Sequence, residues 1–162
     1  MSHMIMCPEN FPLIMCHEPV VSADIDDTGD AVCLKNCAGC LIVVIENQVG
    51  GTTDLVLTVH EGATAAVAAA GTNVLAATFP IWYNLAPATS DIMTRATDAA
   101  GYTIDAATQV HAIVAMYVSA SILTATYDWI HVGTSGGHAA NFASILYILD
   151  KSRFKPGTTA IA

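Results

Sequence analysis

Basic residues are scarce. The 162-residue chain has five Lys and Arg against fourteen Asp and Glu, a net charge of −9. Nucleic-acid binding draws on clustered cations that displace counterions. Three of the five, Lys151, Arg153 and Lys155, lie together near the C-terminal end. That is too little for a duplex-binding face, and no direct nucleic-acid contact is expected. Charged residues of both signs make up only 12%, about half the usual fraction, so much of the surface is neutral and suited to meeting a partner. Long apolar runs are missing too. The best candidate, VHAIVAMYVSASIL (110–123), is broken by His111, Ser119 and Ser121 and falls short of the ~20 residues of a membrane span. MSHMIMCPENFP lacks the basic and apolar regions of a secretory signal. Together with an odd cysteine count, five, this predicts synthesis in a reducing cytosol.

Catalytic motifs are equally sparse. Six histidines are scattered without HxH or HExxH spacing. Pairs of them could meet across strands, but no spacing says so. Ser90, Ser135 and Ser144 lack a nucleophile-elbow context. GTSGGH (133–138) lacks the Lys and helix start of a phosphate loop and reads as a glycine-rich hairpin turn. In DIDDTGD (24–30), Asp24, Asp26 and Thr28 match the opening of a calcium loop, but the twelfth position, which needs a bidentate Glu, is Lys35. CLKNCAGC (33–40) has the C-x3-C-x2-C spacing of an iron–sulfur site, yet it runs straight into CLIVVIE. A fourth thiol or imidazole would have to come from Cys7, Cys16 or His17. Small buried hydrophobes are the simpler reading of these cysteines. The expectation is no metal, no cofactor and no enzymatic activity.

What is present is strand. CLIVVIE (40–46) is a continuous apolar run, as in a strand covered on both faces. LVLTVHE (55–61) alternates with period two. The two read as a hairpin around the Gly-Gly of NQVGGTTD. AVCLKN and CLIVVIE read as strands joined by a Cys37-Ala38-Gly39 corner. ATAAVAAAGTN (63–73) supplies one or two helical turns or an irregular connection. VLAATFPIWYN (74–84, broken at Pro80), GYTIDA (101–106), VHAIVAMYVS (110–119), TYDWIHVGT (126–134) and ASILYILD (143–150) complete about eight strands. No β-α-β rhythm occurs. The predicted fold is all-β, an antiparallel β-sandwich of jelly-roll type. It spans 31–150, preceded by an extended, proline-containing N-terminal arm (1–30) and followed by a C-terminal tail (151–162).

GDAVCLKN (29–36), LIVVIENQVGGTTDLVLTVHE (41–61) and SILYILDKSRF (144–154) together resemble a family of small virion proteins of tailed bacteriophages. The resemblance covers roughly residues 29–154, with motifs that are structural rather than catalytic. It departs from that family at Cys33, Cys37 and Cys40. It implies a capsid decoration or cement protein on the outer capsid, synthesised in the host cytoplasm. The implied partners are the major capsid protein and further copies of the chain, a trimer being favoured. Phe11, Pro12, Leu13, Lys151, Arg153, Phe154 and Lys155 are the expected inter-subunit contacts. The alternative is a carbohydrate- or receptor-binding sandwich on the virion or tail, with Trp82, Tyr83 and Trp129 as its ligand face.

Overall fold

The computed structural model describes residues 11–22, 25, 29–48, 53–105 and 111–150. The described elements are β1 (Leu13–Val21), β2 (Val32–Cys33), β3 (Gly39–Asn47), β4 (Leu55–Gly62), α1 (Ala65–Ala69), β5 (Ile81–Asn84), β6 (Thr94–Arg95), β7 (Gly101–Ile104), β8 (His111–Ser119), β9 (Trp129–Gly136) and β10 (Phe142–Asp150). They form two antiparallel sheets, a six-stranded one in the order β1-β10-β3-β8-β5-β6 and a four-stranded one in the order β2-β9-β4-β7. The chain is an all-β sandwich. Among the described residues no helix is long and apolar enough to cross a membrane.

Alternation explains which side chains go inside. Cys40, Ile42 and Val44 of β3, Val114, Met116 and Val118 of β8, and Ile145, Tyr147 and Leu149 of β10 point inward from the larger sheet. Leu55, Leu57 and Val59 of β4 and Ile130 and Val132 of β9 meet them from the smaller one. Each fully buried aliphatic side chain contributes about 1.5–3 kcal/mol relative to an exposed one. α1 opens on Thr64, whose hydroxyl accepts the Val67 N–H at 3.3 Å.

Three expectations are corrected by the topology. β3 and β4 are not a hairpin: both edges of β3 are occupied, by β10 and β8, and β4 lies in the other sheet. The chain crosses the sandwich between them, and the Gly-Gly at 50–51 lies outside the described residues. GTSGGH is not a hairpin turn either, because β9 and β10 belong to different sheets. There the crossing is anchored by the fully buried Ser22, whose Oγ accepts the His138 N–H at 3.0 Å while its N–H donates to Asn141 O at 2.7 Å. Of the expected arm at 1–30, the stretch 13–21 is itself a sandwich strand, paired with β10, rather than a segment outside the sandwich. The Cys37 corner does form: Cys37 N–H donates to Leu34 O at 2.9 Å and Asn36 takes φ 66°. It carries the chain from β2 in one sheet to β3 in the other.

Candidate functional site

Along β1, β10, β3 and β8 the residues facing away from the core are mostly apolar in the middle of the sheet, with polar ones such as Asn47, His111, Ser119 and Asp150 at its ends. The apolar ones include Leu13 and Met15, Phe142, Leu146 and Ile148, Leu41, Val43 and Ile45, and Ile113 and Ala115. Between Asn47 and Asp150 at its two ends, β3, β8 and β10 carry no Asp, Glu, Lys or Arg on this face, and β1 adds the exposed Glu18 near Ser144. Leu13 (51% exposed), Met15 (53%), Ile45 (50%) and Phe142 (48%) are its most open members. The apolar run CLIVVIE thus has its second face uncovered by any described element of the chain. An apolar sheet face of this extent marks an interaction surface.

The sequence-predicted contact residues divide. Leu13 lies on this face, and Pro12 is beside it, its carbonyl accepting the Leu149 N–H at 3.0 Å. Phe11 is half-buried next to them. Lys151, Arg153, Phe154 and Lys155 lie outside the described residues, as do Cys7, Asp24, Asp26 and Thr28. The three aromatics do not share a face. Trp82 lies under the Arg95 guanidinium, 4.9 Å from its ring centre, and Arg95 pairs with Asp98. Tyr83, its neighbour in β5, turns the other way and stacks on Tyr102 at 5.8 Å. Trp129 is in the other sheet.

Nor do Cys33, Cys37 and Cys40 gather. Cys40 is fully buried, its thiol pushed up by that burial, while Cys33 and Cys37 are half-buried. Among the described residues, one other group of donors does come together. A ligand atom each from Cys16, His17 and His131 lies within 4.8 Å of the others. Neighbours in a regular strand point to opposite sides. Here the register steps from Met15↔Leu146 to His17↔Ile145, so two residues of β1 face one of β10. Such a bulge re-aims side chains, and it brings Cys16 and His17 to one side. His131 arrives from β9, where it pairs with His60 at a ring separation of 6.3 Å. Tyr147 O–H donates to Cys16 Sγ and accepts the Val132 N–H at 3.0 Å. Burial lifts the Cys16 thiol to about 11, with the Tyr147 hydrogen bond opposing. No residue spacing in the sequence predicts this grouping. Its only sequence trace is a Cys-His pair two residues before a proline.

A second missed group is Glu46. It follows Cys40, Ile42 and Val44 on the inward side of β3, between Ala112 and Ala143, whose small side chains leave it room. Gln48 Nε2 donates to it at 3.2 Å. Burial raises its carboxyl from 4.5 to about 7. The folded chain therefore holds a proton that the unfolded chain has released, and stability falls as pH rises from about 4.5 through about 7. Thermal melts across this interval should lose on the order of 1 kcal/mol in wild type. Glu46→Gln should flatten that slope.

Comparison of the chain with protein-family models, with curated proteins and with solved structures gives no match.

Proposed function

We propose that the chain is a structural virion protein, a decoration or cement subunit that sits on the outer capsid and stabilises contacts between major capsid subunits. The observation that carries this reading is the largely apolar outer face of β1, β10, β3 and β8. A free monomer gains nothing from leaving Leu13, Met15, Ile45 and Phe142 open. A subunit fixed among others buries them. The favoured occupant of this face is a second copy of the chain, in a symmetric cluster such as a trimer, whose contact with the capsid runs through the flanking segments. Two further features support the reading. The motifs at 29–36, 41–61 and 144–154 resemble phage virion proteins. The nested order β1-β10-β3-β8 over β2-β9-β4-β7, with β5 and β6 as an insertion, supports a jelly-roll wrapping, an architecture used by viral capsid domains. No chemistry is assigned to the chain in this role. Its work is burial of apolar and backbone surface at subunit junctions, opposing the pressure of packaged DNA.

The test is the copy number in purified virions, by quantitative mass analysis, for wild type and Ile45→Asp. Cement predicts a number equal to that of the major capsid protein or a simple fraction of it. It also predicts loss of Ile45→Asp from particles, because a carboxylate buried without a partner opposes association. A handful of copies would move the chain to the tail or a receptor role. Absence of the wild-type chain from particles would end both virion readings.

A further inference from the structure

We propose that Cys16, His17 and His131 bind one Zn2+ ion, which clips the edge strand of the larger sheet to a strand of the smaller one. One thiolate and two imidazoles form a donor set that suits zinc and not the hard cations Ca2+ and Mg2+, which take oxygen ligands.

Two features of the structure point to an ion rather than a chance meeting of polar side chains. The first is Gly29. A Cβ built on it would lie 2.9 Å from Cys16 Sγ, 2.6 Å from His17 Cδ2 and closer still to His17 Nε2. The absent side chain lets the backbone at Gly29 pack directly against the thiol and the imidazole, which keeps the two donors side by side. The second is His17 Nε2 itself, which is shut off from solvent and has no hydrogen-bond partner. A buried polar atom left so is costly, and coordination answers the cost.

The donors are near closure but not closed. Ligand atoms around one tetrahedral zinc lie about 3.5 Å apart, against separations of up to 4.8 Å here. Side-chain shifts of about 1 Å complete the site. On binding, the Cys16 S–H bond breaks, its proton passes to solvent, and a sulfur–zinc bond forms. Tyr147 O–H, already directed at Cys16 Sγ, then donates to the bound thiolate, as outer-shell partners of metal ligands do. Asp30, whose charge acts on Cys16 and whose N–H donates to Cys16 O at 3.2 Å, offsets the remaining positive charge. Three protein donors leave one tetrahedral position open.

The experiment uses the purified full chain, incubated with Zn2+, Co2+ or Cu+ and freed of excess by gel filtration. Metal is then counted by mass spectrometry, and circular dichroism checks the fold of each variant. Wild type should retain one Zn2+ per chain and show a thiolate-to-cobalt charge-transfer band with Co2+. Cys16→Ser and His17→Gln should lose the band and bind Zn2+ about 100-fold more weakly. Gly29→Ala, which keeps all three donors but drives a Cβ against the His17 ring and Cys16 Sγ and so displaces them, should do the same. Cys33→Ser should bind as wild type. His17 lies on an edge strand and is half-buried, so His17→Gln keeps the test decisive if Cys16→Ser does not fold. The proposal is overturned if wild type retains no zinc, if Cys16→Ser and His17→Gln retain it undiminished, if Cys33→Ser loses it, or if Cu+ alone is held.

Discussion

Tyr147→Ala should lower the unfolding free energy by about 3–5 kcal/mol, the range for deleting a fully buried aromatic side chain. Tyr147 is 0% exposed and is among the largest fully buried side chains of the core. It stands on β10 in the larger sheet and reaches across the sandwich, where its hydroxyl accepts the Val132 N–H of β9 at 3.0 Å. That N–H lies past the two-residue β2, whose pairing with β9 ends at Val32↔Ile130. The phenol oxygen therefore does what a longer β2 would have done. Tyr147→Phe separates the two contributions. It keeps the ring and should still cost about 1–3 kcal/mol, because a buried backbone donor loses its acceptor. Urea titration of the two variants against wild type reads both values. A Tyr147→Phe midpoint equal to that of wild type would show that the hydroxyl bridge contributes nothing net.

Gly136→Ala is the second large effect, and it acts through the backbone. Gly136 takes φ +78°, in the left-handed region, where an L-residue loses about 1–2 kcal/mol. An added Cβ would also fall on the carbonyl oxygen of Asp54, a backbone atom that cannot rotate away. The next residue, Gly137, donates its N–H to that same oxygen at 2.9 Å. Relieving the clash therefore breaks the bond that starts the crossing to β10. A total cost of about 3 kcal/mol or more is expected. Ser135→Ala, one residue earlier in β9, should stay within about 0.5 kcal/mol. Equal melting temperatures for Gly136→Ala and wild type would refute the steric argument.

Strands were legible in the sequence because their signal is local. CLIVVIE, LVLTVHE, VHAIVAMYVS and ASILYILD each declare extended backbone by β-branched residues and alternation, and β3, β4, β8 and β10 follow. Which strands share a sheet was not legible. That choice depends on partners far along the chain, and the local hairpin signal at Gly50-Gly51 competed with them and lost. The Cys16–His17–His131 group was hidden for a related reason. Its members are distant in sequence, and its two adjacent residues face one way only because of a bulge, which no residue pattern announces. Glu46, by contrast, could have been placed. Counting by twos from Cys40 through Ile42 and Val44 turns it inward, and the error was to treat the run as uniform.

β10 enters the larger sheet between β1 and β3, the earliest and the third strand of the described chain. The two are joined in the sheet through it. As the polypeptide is made, β1 and β3 are complete long before their shared neighbour exists. They wait with open edges, and the pairing that closes the sheet spans nearly the whole chain. Topologies dominated by such distant pairings fold slowly and expose unpaired edges while they do so. The outer apolar face takes shape only when β10 is in place, because Leu13, Met15 and Ile45 are brought onto one surface by that strand. The order of synthesis is thus a timing device: the surface that would join one subunit to the next is assembled by the last of the described strands, the same strand that closes the interior.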